Sequence, residues 1–115
     1  MANTEFIRSK AFKAAEIIEY TPNSVVIRSI IKKITGNVSA VSFDSGELLN
    51  GKTSPFETLI QIIEGNAEVV IDDKSNLLET GQSIIIPAHA RNTIKANGKF
   101  KMLSTLIKSG YEEVN

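Results

Sequence analysis

His89 is the only histidine in the chain, and there is no cysteine. An imidazole serves as a general base when a neighbour orients it and a substrate proton lies within hydrogen-bond reach. No residue stands out as that neighbour, so a general base and an unpartnered loop histidine are both open readings. Lys52 offers a second chemistry. In apolar surroundings, desolvation lowers an ammonium pKa and makes the amine a nucleophile or Schiff-base former. Alternatively, Lys52 lays its methylenes along the apolar surface and keeps its charge in water. Glu57, Glu64 and Glu68 do not form an acid pair, because Glu64 and Glu68 flank an expected hairpin and read as surface charge. The absence of cysteine removes disulfides, thiolate nucleophiles, zinc ribbons and iron–sulfur clusters together. No glycine-rich phosphate loop and no Ser-His-Asp set occurs.

The bulk numbers narrow the partners. Thirteen basic and thirteen acidic residues cancel in a chain of 115, so no long-range field draws in nucleic acid or anionic lipid. Five phenylalanines, two tyrosines and no tryptophan are too few for a base-stacking platform. Glu5, Arg8, Lys10, Lys13 and Glu16 interrupt any secretory apolar region, and no stretch approaches the length of a membrane span. A cytoplasmic protein with no nucleic-acid or membrane partner is the expectation. A hydrophobic fraction of 42% and a charged fraction of 23% suit one domain with a real core.

Short strands must position these residues. Residues 9–20 carry a partial helical stripe closed by Pro22, which predicts a short helix or turn. Residues 24–34 are rich in β-branched side chains, and residues 38–43 alternate apolar with small ones. Strands are expected over 58–63, 67–71, 83–86, 92–96 and 100–107. Asn50-Gly51 reads as a turn, 72–76 as a polar loop, and Asn97-Gly98 as the strongest hairpin signal. Eight or more short strands with regular turn signals predict an all-β barrel or sandwich. One domain covers 1–115, with a barrel at about 24–108 and an N-terminal extension over 1–23.

Two glycine-anchored stretches add to this pattern. Gly46 is followed by Lys52, Ser54, Thr58 and Gly65, and Gly81 by Pro87 and Asn92. Their spacing resembles the two motifs of the cupin superfamily, small single-domain cupins (cupin 2 conserved-barrel type) above all. The resemblance implies a double-stranded β-helix, or jelly roll. Cupins usually carry three histidines and an acid at offsets where this sequence has Lys52, Ser54, Thr58 and Asn92. Ammonium, hydroxyl and amide groups make a poor site for a transition metal, so no metal and no cofactor are expected. A noncognate pair of Glu57 and His89 is conceivable only if Glu57 escapes the strand alternation.

If Lys52 and Ser54 point inward as the matching family positions do, alternation brings Thr58, Ile60 and Ile62 to the same inner face, with Asn92 and Ile94 opposite. The expected ligand-binding set is therefore Lys52, Ser54, Thr58, Ile60, Ile62, His89, Asn92 and Ile94. Lys52 and Asn92 would recognise an anionic or carbonyl-bearing molecule, with Arg91 joining them at the mouth. The leading expectation is a metal-free cupin that binds a small molecule in its barrel or acts as an interaction module. The alternative is a small-cupin isomerase or lyase, acting on a sugar or keto compound through Lys52, His89 and Asn92. A homodimer is expected, packed through outer-face residues such as Leu59, Ile63 and parts of 24–34.

Overall fold

Alternating burial builds two facing sheets. The computed structural model describes Phe6, residues 8–51 and residues 53–108. Among these residues the strands are β1 (Val25–Lys33), β2 (Gly36–Phe43), β3 (Leu48–Gly51), β4 (Glu57–Glu64), β5 (Ala67–Ile71), β6 (Lys74–Leu78), β7 (Ser83–Ile86), β8 (Asn92–Lys95) and β9 (Phe100–Ile107). Five strands form one sheet in the order β1-β2-β9-β4-β7, and four form the other in the order β3-β8-β5-β6. All paired neighbours run antiparallel. This is the expected all-β jelly roll. The predicted short helix or turn is a three-residue 3-10 turn, Ala14–Glu16.

Each strand turns one face to the shared core. Ile60 and Ile62 of β4 are buried with Val41, Phe43, Phe100 and Met102 from one sheet and Val69, Ile94 and Leu78 from the other. Phe43 and Phe100 stack with ring centroids 4.4 Å apart and are fully buried, which closes one end of the barrel.

Four turn expectations are corrected. Asn50-Gly51 ends β3 instead of turning. The polar loop predicted over 72–76 shrinks to Asp72-Asp73, whose φ values of 47° and 69° make a tight primed-type turn into β6. The hairpins read at Asn97-Gly98 and across 62–69 are crossings between sheets, because β8 and β5 lie in one sheet and β9 and β4 in the other. The tight-turn pattern alone does not say which sheet the next strand joins.

The N-terminal extension crosses the outer face of the five-stranded sheet. The Ala15 carbonyl accepts from Lys101 Nζ at 2.6 Å, the Ile17 carbonyl from Arg28 at 2.6 Å, and the Glu19 carbonyl from Ser42 Oγ at 2.9 Å. Tyr20 donates to Glu64 at 2.5 Å. A bulge between Ile62 and Glu64 makes the last contact available. Strict alternation would send Glu64 inward with Ile62; the bulge turns it outward, 3.8 Å from the buried Lys101 ammonium. Glu64 is thus part of a latch and not a free surface charge.

Burial, the bond to Glu64 and the Glu64 charge together push the Tyr20 phenol well above its ordinary value of 10. The unfolded chain then ionises Tyr20 first. The phenol's contribution is complete below pH 10 and declines as pH climbs beyond that value. Denaturant titrations at about pH 9 and pH 11 should show a smaller alkaline loss for Tyr20→Phe than for the parent. Equal losses would mean that the latch does not hold the phenol neutral.

Candidate functional site

Strand register stacks the interior in rows. At the closed end of the five-stranded sheet lie Phe43 and Phe100, followed by Val41, Met102 and Ile62. The next row is Ser39, Ser104, Ile60 and Ile84, and the row nearest the mouth is Asn37, Leu106, Thr58 and Ile86. On the facing sheet, Leu49, Ile94 and Val69 share one row, with Gly51, Asn92 and Ile71 above it. The deep rows are buried, whereas Ser39, Ser104, Thr58, Asn37 and Asn92 are half-buried. No buried side-chain nitrogen or oxygen among the described residues lacks a partner. Among the described residues, the half-buried hydroxyls of Ser39, Ser104 and Thr58 have no hydrogen-bond partner.

The expected residues divide. Thr58, Ile60 and Ile62 share the inner face of β4, and Asn92 and Ile94 that of β8. The Asn92 amide folds over Gly51, where a Cβ would overlap it, so glycine at the end of β3 makes room for this side chain. Lys52 lies outside the described residues. Ser54 is spent locally, its Oγ accepting from the Phe56 N–H at 3.0 Å. Glu57 stands opposite Ile107 on the outer face, so it does not pair inward with His89. Arg91 turns from the mouth to Asp73, 3.1 Å away. The composition of the mouth adds Ser39, Ser104 and Asn37, which the sequence reading missed. Carrying the alternation of Phe43 and Val41 one step further along β2 would have found Ser39.

His89 sits on the rim and is exposed. Its backbone N–H donates to the Ser54 carbonyl at 2.6 Å, tying the loop after β7 to the loop before β4. Its φ of 68° lies in the left-handed region, at the third position of a turn closed by Ala90 N–H donating to the Pro87 carbonyl at 3.3 Å. That position suits glycine. His89→Gly should therefore raise stability by about 0.5–1 kcal/mol, and His89→Val should lower it by about 1–2 kcal/mol. Thermal melts of the two variants check this; a fall for glycine would mean that the imidazole itself stabilises the rim.

Superposition on solved structures decides the fold family. The chain is similar to a cupin superfamily protein from Desulfitobacterium hafniense DCB-2, at 26% identity over 90% of this chain and 94% of that one, with a TM-score of 0.84. The fold is that of the cupins. A cupin 2 conserved barrel domain protein from Leptotrichia buccalis shares 28% identity over 84% of this chain and 47% of its own length, with a TM-score of 0.81. A conserved protein of unknown function from Streptococcus pyogenes shares 22% identity over 92% and 93% of the two chains, with a TM-score of 0.86. No protein-family profile and no curated protein matches the sequence. The cupin barrel is therefore established by shape, and its chemistry has to be read from its own residues. Among the described residues, no helix is long and apolar enough to cross a membrane.

Proposed function

We propose that this cupin barrel is a binding protein that takes a small carbonyl- or hydroxyl-bearing organic molecule at its mouth, without a metal. The observation that carries the reading is the row structure. Ser39, Ser104 and Thr58 present hydroxyls without a partner among the described residues in two adjacent rows, above an apolar floor of Val41, Met102 and Ile62. A mostly apolar concavity with a few converging polar groups is the usual form of a small-molecule site. Asn92 supplies a donor and an acceptor from the opposite sheet.

The donor chemistry supports the metal-free part. At three of the four offsets where cupins usually hold ligands, the described residues are Ser54, Thr58 and Asn92, all neutral oxygen or nitrogen groups. Among the described residues, no cluster of three His, Cys, Asp or Glu side chains is placed to hold an ion. These groups do not fit an iron, manganese, nickel or zinc site, which calls for imidazole, thiolate or carboxylate. The catalytic alternative gains no support from His89, which is exposed on the rim and makes its hydrogen bond through the backbone.

A thermal-shift screen against neutral sugars, sugar acids and small keto acids tests the reading, followed by calorimetry on the compound that stabilises most. Thr58→Val and Ser104→Ala should each weaken binding of that compound by about tenfold, the cost of leaving a ligand polar group unpaired. Full affinity in the double variant would defeat the proposal. Tight retention of one equivalent of a transition metal would defeat the metal-free part.

A further inference from the structure

The outer face of the four-stranded sheet ends, beside the mouth, in a polar groove of about 490 Å³. Strand register builds it. Asn50 of β3, Thr93 of β8 and Val70 of β5 share one outward row, and the loops beyond that row supply Arg91 and Asp73. Asn92 lines the groove where it borders the barrel mouth. These groups are held in place. Asp72 and Asp73 occupy the two left-handed positions of the turn between β5 and β6, where Asn-Gly is the less costly pair. Both carboxylates are engaged there. Asp72 accepts from the Arg91 backbone N–H at 3.0 Å, its own N–H donates to the Arg91 carbonyl at 2.9 Å, and Asp73 accepts from the Arg91 guanidinium at 3.1 Å. The loop carrying Arg91 is pinned again where the His89 N–H donates to the Ser54 carbonyl. On the other wall, Thr93 donates to Asn50 Oδ1 at 2.9 Å, which leaves the Asn50 amide nitrogen without a partner among the described residues.

We infer that this groove is a binding site for a neutral polyhydroxyl compound, a sugar unit that presents two neighbouring hydroxyls. The charge pattern selects that class. The Arg91 guanidinium offers donors only and the Asp73 carboxylate acceptors only, and the two stand 3.1 Å apart. A neighbouring pair of hydroxyls gives the first an acceptor and the second a donor at that spacing. An anion would meet Asp73 and a cation would meet Arg91, so neither gains from the pair what a neutral diol gains. Asn50 adds donors from the other wall and Thr93 an accepting oxygen. Val70, half-buried beside Thr93, seats the C–H face of a sugar ring. An exposed ion pair contributes little to folding, so folding alone does not account for two aspartates in a strained turn. The site is separate from the barrel interior, because Asn50, Thr93 and Val70 lie on the face of their strands opposite to Leu49, Ile94 and Val69.

Titration of the isotope-labelled full chain with the methyl glycosides of glucose, galactose and mannose, followed by amide resonances, tests the groove separately from the mouth. Asn50, Arg91 and Thr93 should shift with at least one glycoside. Shifts there with silent Thr58 and Ser104 would support the groove and count against the mouth; shifts confined to Thr58 and Ser104 would do the reverse. Arg91→Lys keeps the charge but loses the fork of donors, and should weaken binding in the groove about tenfold, as should Asp73→Ala. Both positions are exposed, and unchanged resonances elsewhere report an intact fold. Deoxy sugars lacking one hydroxyl of the pair should bind about tenfold more weakly than the parent glycoside. Groove shifts with inorganic phosphate but with none of the glycosides, or full affinity in both variants, would overturn the proposal.

Discussion

Phe100→Ala should cost about 3–5 kcal/mol, a large part of the stability available to a domain of this size. Phe100 is fully buried, stacks on Phe43 at 4.4 Å and opens the strand that lies between β2 and β4. Truncation removes the transfer free energy of the ring and leaves a hole under a floor contributed by both sheets. Two-sided packing limits collapse, which places the expected loss toward the upper end. Urea unfolding measures it. Phe43→Ala should fall in the same range, and the double variant should lose less than the sum because the two rings share one contact. A loss near 1 kcal/mol for Phe100→Ala would mean that the closed end repacks freely and is not the anchor of the barrel.

Gly65→Val should be nearly as severe, at about 3 kcal/mol or more. Gly65 joins β4 to β5 with φ of 86°, a conformation that a β-branched residue strongly disfavours. Any Cβ would also lie 2.5 Å from the Lys99 carbonyl and 2.9 Å from Phe100 Cβ. The strand crossing cannot widen without moving the ring that closes the barrel. Gly81 separates the two effects, because its φ of 92° is as unusual but its surroundings are open. Gly81→Ala should therefore cost only the conformational part, about 1–2 kcal/mol. Comparable losses for Gly65→Ala and Gly81→Ala would show that steric contact at Gly65 adds nothing.

Much of this architecture was legible in the sequence because alternation and glycine spacing are local signals. The inner placement of Thr58, Ile60 and Ile62 follows from a period of two along β4. Gly65 and Gly81, the anchors of the two spaced motifs, both adopt positive φ, which glycine reaches at little steric cost. The departures arise where a local pattern meets a non-local decision. Asn97-Gly98 has the composition of a hairpin, yet β8 and β9 belong to different sheets, and only the packing of distant strands fixes that choice. The bulges at Ile30 and Ile63 invert the parity of the residues beyond them, so Ile31 and Glu64 end on faces that simple alternation denies them. Lys101 lies among apolar neighbours with nothing in its sequence surroundings to announce a buried ammonium. Its partners, the Ala15 carbonyl and Glu64, are remote in the chain. Ser39 and Ser104 were passed over for a simpler reason, since small polar residues in a strand carry no distinctive mark until the register aligns them.

Biosynthesis completes the larger sheet late. The strand that joins β2 to β4 is the last of the nine to be made. A nascent chain can pair β1 with β2, and β5 with β6, as soon as each has left the ribosome, but the larger sheet stays in two pieces until residues 100–107 emerge. Val41, Ile60 and Ile62 remain wet during that interval, and folding of such a long-range topology takes on the order of milliseconds to seconds. Ribosome-bound chains halted before Phe100 should accordingly recruit holdase chaperones and yield to proteases, while chains released past Lys108 should resist both.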